Sequence, residues 1–333
     1  MLGGLLASGA FATNAASHGS LLARGAGPRA LTHLRVILAS APPSILDVDA
    51  GTLLRVPGIT HGPHPVLWVA PAPRGAVAVV IGPRSEHGVL IRPDGSTRKL
   101  ATGTSLVASW NSAAGWALDR RRGGGCTLRL VPGNRPAIHA PCGSLDGDGE
   151  AGVVIRTASS DVLVDHRTGH VRLRVRGDGS EIVSLHGGLV FEEIYTPLDG
   201  QSKLSLVDLH AGRHRLLRWP SALSDIDGVI AQPHGPLVAV GFASLASNPQ
   251  GEDIFLLDTR TGHFSHVPGY PRLEDLKRSS VASTSDDRLI LTIHLNNRTR
   301  LGIYRPGDHI VSLRALRLPA FAGSDKFVPL VFR

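Results

Sequence analysis

The chain has 333 residues, a formal charge of +8, 39 Gly and 23 Pro, so the two turn residues make up roughly 19% of it against a usual ~12%. No Gly-X-Y period runs through it, 42% of its residues are hydrophobic, and Gly and Pro interrupt it too often for long helices. Collagen, general disorder and an extended helical protein are thereby excluded. Arg far outnumbers Lys, and the cations are spread along the chain with few aromatics among them, which excludes the nucleic-acid binders that stack bases on a basic face. The densest run, Arg120-Arg121-Arg122, precedes three glycines and reads as a solvated loop.

Leu2 to Ala12 are uncharged, and Ala10-Phe11-Ala12 offers the small residues of an export-signal cleavage site. The run is too short to cross a bilayer, so no transmembrane helix is expected. Residues 1–25 read as a flexible or signal-peptide-like segment and 26–333 as one domain. The protein is expected to be secreted or extracytoplasmic, with a cytoplasmic one the alternative.

From residue 34 onward the chain repeats one pattern: an apolar strand, a turn with Gly, and a second strand. The turn glycines are Gly51, Gly95, Gly133, Gly169, Gly212, Gly262 and Gly307, on average roughly 43 residues apart, a period that marks a repeat architecture. Asp47, Asp165, Asp208 and Asp258 precede four of the turns, where a carboxylate can accept backbone N–H groups while Gly supplies the positive φ. In the third hairpin Cys126 and Cys142 flank Pro132-Gly133-Asn134. Pairing about Asn134 would set the two cysteines opposite each other, within disulfide reach; two buried reduced thiols are the alternative.

Each hairpin follows a further apolar strand and a shorter one before it, as in Gly228-Val-Ile-Ala-Gln and Pro236-Leu-Val-Ala-Val-Gly ahead of Ile254-Phe-Leu-Leu-Asp. Four strands per repeat, seven times over, predict an all-β, seven-bladed β-propeller of four-stranded antiparallel blades. The first repeat lacks an innermost strand, and the chain ends on an apolar strand without a hairpin. Residues 327–332 are therefore expected to pair beside 34–39 and close the ring. Ser283-Thr284-Ser285-Asp286-Asp287-Arg288 before Leu289 resembles the Ser-Pro-Asp-Gly opening of TolB-like repeats, and Ile254 to Gly262 resembles their next strand and turn. The chain thus resembles a propeller of the broad TolB-like and WD-repeat-like type, which implies binding through the channel mouth or loop faces.

Few constellations suggest chemistry. Asp146-Gly-Asp148-Gly-Glu150 lacks the remaining ligands of an EF-hand and reads as a solvated loop between blades. His61/His64 and His210/His214 lack the companions of a zinc site, so neither a metal nor a cofactor is expected. Glu192 and Glu193 are adjacent on a strand and face opposite ways. No Gly-x-Ser-x-Gly elbow occurs. The candidate ligand-binding residues lie at inner-strand ends: Asp225 and Asp227 just before the inner strand of the sixth blade, His186 similarly placed in the fifth, and Trp110 and Asn111 at the inner-strand end of the third. The function expected is a monomeric, non-catalytic binding module for a protein or envelope component. The alternative is a propeller lyase or hydrolase in which these acids and His186 converge in the channel.

Overall fold

The computed structural model describes residues 34–38, 44–56, 68–72, 75–81, 85–103, 105–109, 114–177, 180–195, 202–220, 225–231, 235–243, 252–270, 278–284, 288–295, 298–307, 312–316 and 327–331. The first three strands are β1 (Leu34–Leu38), β2 (Ser44–Asp47) and β3 (Thr52–Arg55). Six sets of four follow. The first three are β4 (Trp68–Ala72), β5 (Gly75–Ile81), β6 (Glu86–Ile91) and β7 (Thr97–Gly103); β8 (Ser105–Ala108), β9 (Gly115–Arg120), β10 (Cys126–Val131) and β11 (Ile138–Ala140); and β12 (Ser144–Gly149), β13 (Gly152–Arg156), β14 (Ser160–Val164) and β15 (Val171–Arg176). The next three are β16 (Glu181–Ser184), β17 (Leu189–Ile194), β18 (Lys203–Asp208) and β19 (Arg213–Leu217); β20 (Asp225–Ala231), β21 (Leu237–Ala243), β22 (Glu252–Asp258) and β23 (His263–His266); and β24 (Arg278–Ser283), β25 (Leu289–Leu295), β26 (Arg298–Tyr304) and β27 (Ser312–Leu316). The last strand is β28 (Phe327–Val331).

Each set of four forms one antiparallel sheet in chain order, and the remaining sheet has the order β28-β1-β2-β3. The first strands of neighbouring sheets stand against each other: β4 beside β28 and β8, β12 beside β8 and β16, and β24 beside β20 and β28. First strands therefore line the inside of a ring and fourth strands its rim. The fold is a β-propeller. Its closure is the one expected, with Leu34 opposite Val331 and Leu38 opposite Phe327, so that β28 supplies the innermost strand of the first blade.

The core is distributed between blades rather than gathered at one centre. Leu34, Val36 and Leu46 of the first blade pack on Ile290 and Leu301 of the last. Val154, Leu163 and Val175 of the fourth meet Ile182 and Val190 of the fifth. Leu204, Leu206 and Leu217 of the fifth meet Val238, Val240 and Phe242 of the sixth. A strand covered on both faces must be apolar at consecutive positions, and this is why Val162, Leu163 and Val164 are all fully buried.

The turns form as their residues dictate. Asp165 Oδ1 accepts the amides of Arg167 and Thr168, each at 2.9 Å, and Asp208 Oδ1 accepts those of His210 and Ala211, also at 2.9 Å. Gly169, at φ 74°, closes the first of these turns, with its amide donating to the Asp165 carbonyl at 3.0 Å. A side chain at Gly169 would run into the His139 carbonyl on β11 of the preceding blade, so this glycine serves interblade spacing as well as turn geometry.

The third hairpin departs from the expected register. Cys126 faces Ala140 rather than Cys142, because the connection through Pro132–Pro136 places the centre of pairing at Gly133. Cys142 lies two residues past the end of β11, yet the disulfide Cys126–Cys142 forms, with Cα atoms 5.1 Å apart. The N-terminal segment 1–33, with the boundary expected after residue 25, lies outside the described residues. Among the described residues no helix is long and apolar enough to cross a membrane.

Candidate functional site

All inner strands run the same way, because each is three antiparallel steps and one crossing from the next. The ring thus has a first mouth, where inner strands begin, and a second, where they end. Charge is sorted radially on this frame. The outermost strands carry Arg55, Arg98, Lys99, Arg172, Arg174, Arg176, Arg213, Arg215 and Arg314 and no carboxylate, whereas the innermost carry Asp146, Asp148, Glu181, Asp225 and Asp227 against a single cation, Arg278. The even scatter of cations seen along the sequence is therefore a basic rim around an acidic channel wall.

The densest described cluster lies at the first mouth, between the fourth and fifth blades. The Arg156 Nη2 donates to Asp146 Oδ2 at 2.8 Å and to Glu181 Oε1 at 3.3 Å, and its Nε to Asp161 Oδ1 at 3.3 Å. Four strands contribute: β12, β13, β14 and β16. A bulge between Leu145 and Gly147 shifts the β12 register beside Asp146, and bulges re-aim side chains in this way. Burial pushes the carboxyls of Asp161 and Glu181 above their ordinary ranges, more than Arg156 lowers them, and Asp146 adds to the rise in both. Asp161 is 3% exposed, and its Oδ2 makes no hydrogen bond. Beside the cluster, Ser180 accepts the amide of Tyr195 at 3.1 Å, and the Tyr195 side chain stands exposed.

The second mouth is stitched by neutral and charged pairs. Asp148 accepts Trp116 Nε1 of the preceding blade at 3.0 Å and meets His166 Nε2 at 2.7 Å, with the indole and imidazole stacked. Glu150 accepts the amide of Gly187 at 2.7 Å and pairs with His186. The acidic run 146–150 is accordingly no solvated loop: 144–149 is inner strand β12, and its carboxylates divide between the two mouths. No group of three potential metal ligands occurs among the described residues.

One further constellation invites a catalytic reading. Ser205, His214 and Glu192 sit on β18, β19 and β17, with Ser205 Oγ 2.6 Å from Glu192 Oε2 and His214 Nε2 2.9 Å from Ser205 Oγ and 3.1 Å from Glu192 Oε2. A relay needs Glu and Ser on opposite imidazole nitrogens. Here both meet the same nitrogen, and the hydroxyl donates directly to the carboxylate. The group satisfies a buried Glu192 and provides no base for Ser205. Glu193, adjacent on β17, is buried on the other face, as the strand period requires.

Of the residues singled out by sequence, His186 and Asp225 belong to different mouths. His186 lies in a short 3-10 turn, His186–Gly188, after inner strand β16 and so at the second mouth, not before the strand as expected. Asp225 opens β20 at the first mouth and Asp227 follows it; of these two only the backbone is described. Trp110 and Asn111 lie outside the described residues. The Arg156 cluster was missed because its members come from four strands and no local spacing unites them; Asp146 in an acidic run was its one visible trace.

The sequence matches no protein-family model and no curated protein. Similarity to solved structures is extensive at the level of fold. The β-propeller domain of the trilobed protease from Pyrococcus furiosus is 9% identical over 87% of this chain and 96% of that one, with a TM-score of 0.54. A prolyl endopeptidase is 9% identical over 86% of this chain and 50% of its own, with a TM-score of 0.56. TolB from Acinetobacter baumannii is 12% identical over 89% of this chain and 65% of its own, with a TM-score of 0.49. The chain thus spans less than two thirds of the endopeptidase and of TolB. The trilobed protease propeller is described as having an open velcro topology, whereas here β28 and β1 share a sheet.

Proposed function

We propose that the protein is a non-catalytic binding module that engages a protein or envelope component through a mouth of its channel, outside the cytoplasm. The observation that carries this reading is the use made of its polar groups. Arg156 with Glu181, Asp148 with Trp116, and Glu150 with Gly187 each join neighbouring blades. They hold a ring in shape, and a rigid ring presents its loops as a fixed surface. The alternative enzyme requires Asp225, Asp227 and His186 to reach one substrate; Asp225 opens inner strand β20 at the first mouth whereas His186 follows the end of β16 at the second, which favours the binding reading. The disulfide supports an oxidising compartment.

The test is photo-crosslinking in the native host. Tyr195→p-benzoylphenylalanine places the probe beside the first mouth, and Leu216→p-benzoylphenylalanine, 68% exposed on the outermost strand β19, places it on the rim. A discrete adduct from residue 195, competed by excess unlabelled protein and absent from residue 216, is expected. Adducts from neither position, or equally from both, would overturn the assignment to a mouth.

A further inference from the structure

We infer that the first mouth, over the fourth to sixth blades, is a receptor for a cationic side chain on an extended basic polypeptide, with arginine the best fit. This rests on the binding-module reading and names the chemistry of its partner. Three carboxylates there share one guanidinium: Asp146, Asp161 and Glu181 all converge on Arg156. The cluster is thus short of positive charge where water is partly excluded, a condition that proteins relieve by pairing. A second sign is independent of the count. Asp161 is 97% buried by its 3% exposure, it is held in the cluster through Oδ1, and its Oδ2 accepts no hydrogen bond. A cation entering beside Arg156 would neutralise the excess charge and free the Arg156 fork to turn toward Asp161.

The way in is open, because Asp146 and Glu181 keep 24% and 37% of their side-chain surface exposed. The acidic sector continues around the ring, since Glu181 is the first residue of β16, and Asp225 and Asp227 are the first and third of β20. Successive inner strands therefore bring acidic positions to one mouth, spaced for several cations of one chain rather than for a single ion. A metal is disfavoured by the geometry: the carboxylates are arranged around a guanidinium, which already occupies the point where they meet. Arginine is preferred to lysine because its planar fork pairs bidentately with a carboxylate and stacks on an aromatic face, and Tyr195 stands exposed at the lip. The cations of the outermost strands sharpen the choice, since they repel the basic chain that the acidic mouth attracts.

The experiment measures fluorescence anisotropy of a labelled five-repeat Arg-Gly peptide against the full chain at low salt, with Lys-Gly and Glu-Gly peptides in parallel. Saturable binding of the Arg-Gly peptide is expected, stronger than Lys-Gly, with Asp146→Asn/Glu181→Gln weakening it at least tenfold and Asp258→Asn, in a rim turn, leaving it unchanged. Undiminished binding by the double variant, or tighter binding of the Glu-Gly peptide, would overturn the proposal. Should the double variant melt early, crosslinking of the labelled Arg-Gly peptide from Tyr195→p-benzoylphenylalanine decides in an otherwise native chain: an adduct supports the site and its absence refutes it. If the host adduct from residue 195 forms while the Arg-Gly peptide fails, the mouth stands as a binding surface and only its preference for cations falls.

Discussion

Single carboxylates in this protein divide into two kinds with opposite responses to acid. Burial alone would raise the Asp165 carboxyl, but the amides of Arg167 and Thr168, the Thr168 hydroxyl and Arg172 together hold it below its ordinary value of 3.8. A depressed pKa in the folded state contributes stability above the unfolded value, and this is lost as pH falls through the folded one. Asp165→Ala should therefore cost about 1 kcal/mol at pH 7, and its stability should converge with that of the parent chain below pH 3.8, as measured by urea titration across pH. Glu181 behaves in the reverse sense. Its raised pKa means the folded state takes up the proton first, so its burden is greatest at neutral pH and is relieved as pH falls through the raised value. Glu181→Gln should thus raise the melting temperature at pH 7 and lose that advantage in acid; a gain that persists at low pH would point to another cause. The turn aspartates were legible in the sequence because an Asp and a Gly four residues apart satisfy a local requirement. Asp161 was not, since its burial depends on Arg156 and on strand β16 of the next blade.

At the level of elements, the hairpin β10–β11 shows where spacing stops being informative. The sequence placed the cysteines symmetrically about Asn134, while the chain pairs Cys126 with Ala140. A connection of several residues can absorb an offset that a two-residue turn could not, and the disulfide then forms two residues beyond the strand end. Its closure of a 16-residue separation should contribute about 3 kcal/mol through the unfolded chain. Cys142→Ser is expected to lower the chemical-denaturation midpoint by a corresponding amount, and reductant should lower that of the parent chain but not of the variant. Equal midpoints for all samples would show that the bridge adds nothing to stability. The same limit applies to β12. Its alternating Asp and Gly suggested a loop, but the strand is dictated by pairing with β13 and by Leu145 packing on the third blade.

Across the whole molecule, the repeat was the strongest signal, because a period of turn glycines survives any uncertainty about single strands. The seam was legible for a similar reason: one strand was missing at the start and one was in excess at the end. The radial sorting of charge was not, since it appears only when strands are ranked from channel to rim. The seam makes a further demand on stability. Removing residues 325–333 would leave β1 unpaired on its inner side and open the ring between β4 and β24. The truncated chain should melt broadly and well below the parent in calorimetry and expose apolar surface to a hydrophobic dye. A single sharp transition at the parental temperature would show that the ring does not depend on its last strand.

The pairing of β28 with β1 also sets a clock on biosynthesis. Residue 38 leaves the ribosome roughly 15–60 s before residue 327 can meet it, at ~5–20 residues per second. Throughout that interval the first blade lacks its channel-side strand, and the ring cannot close. The closing strand thus acts as a timer that withholds the folded ring until residues 327–331 have been made.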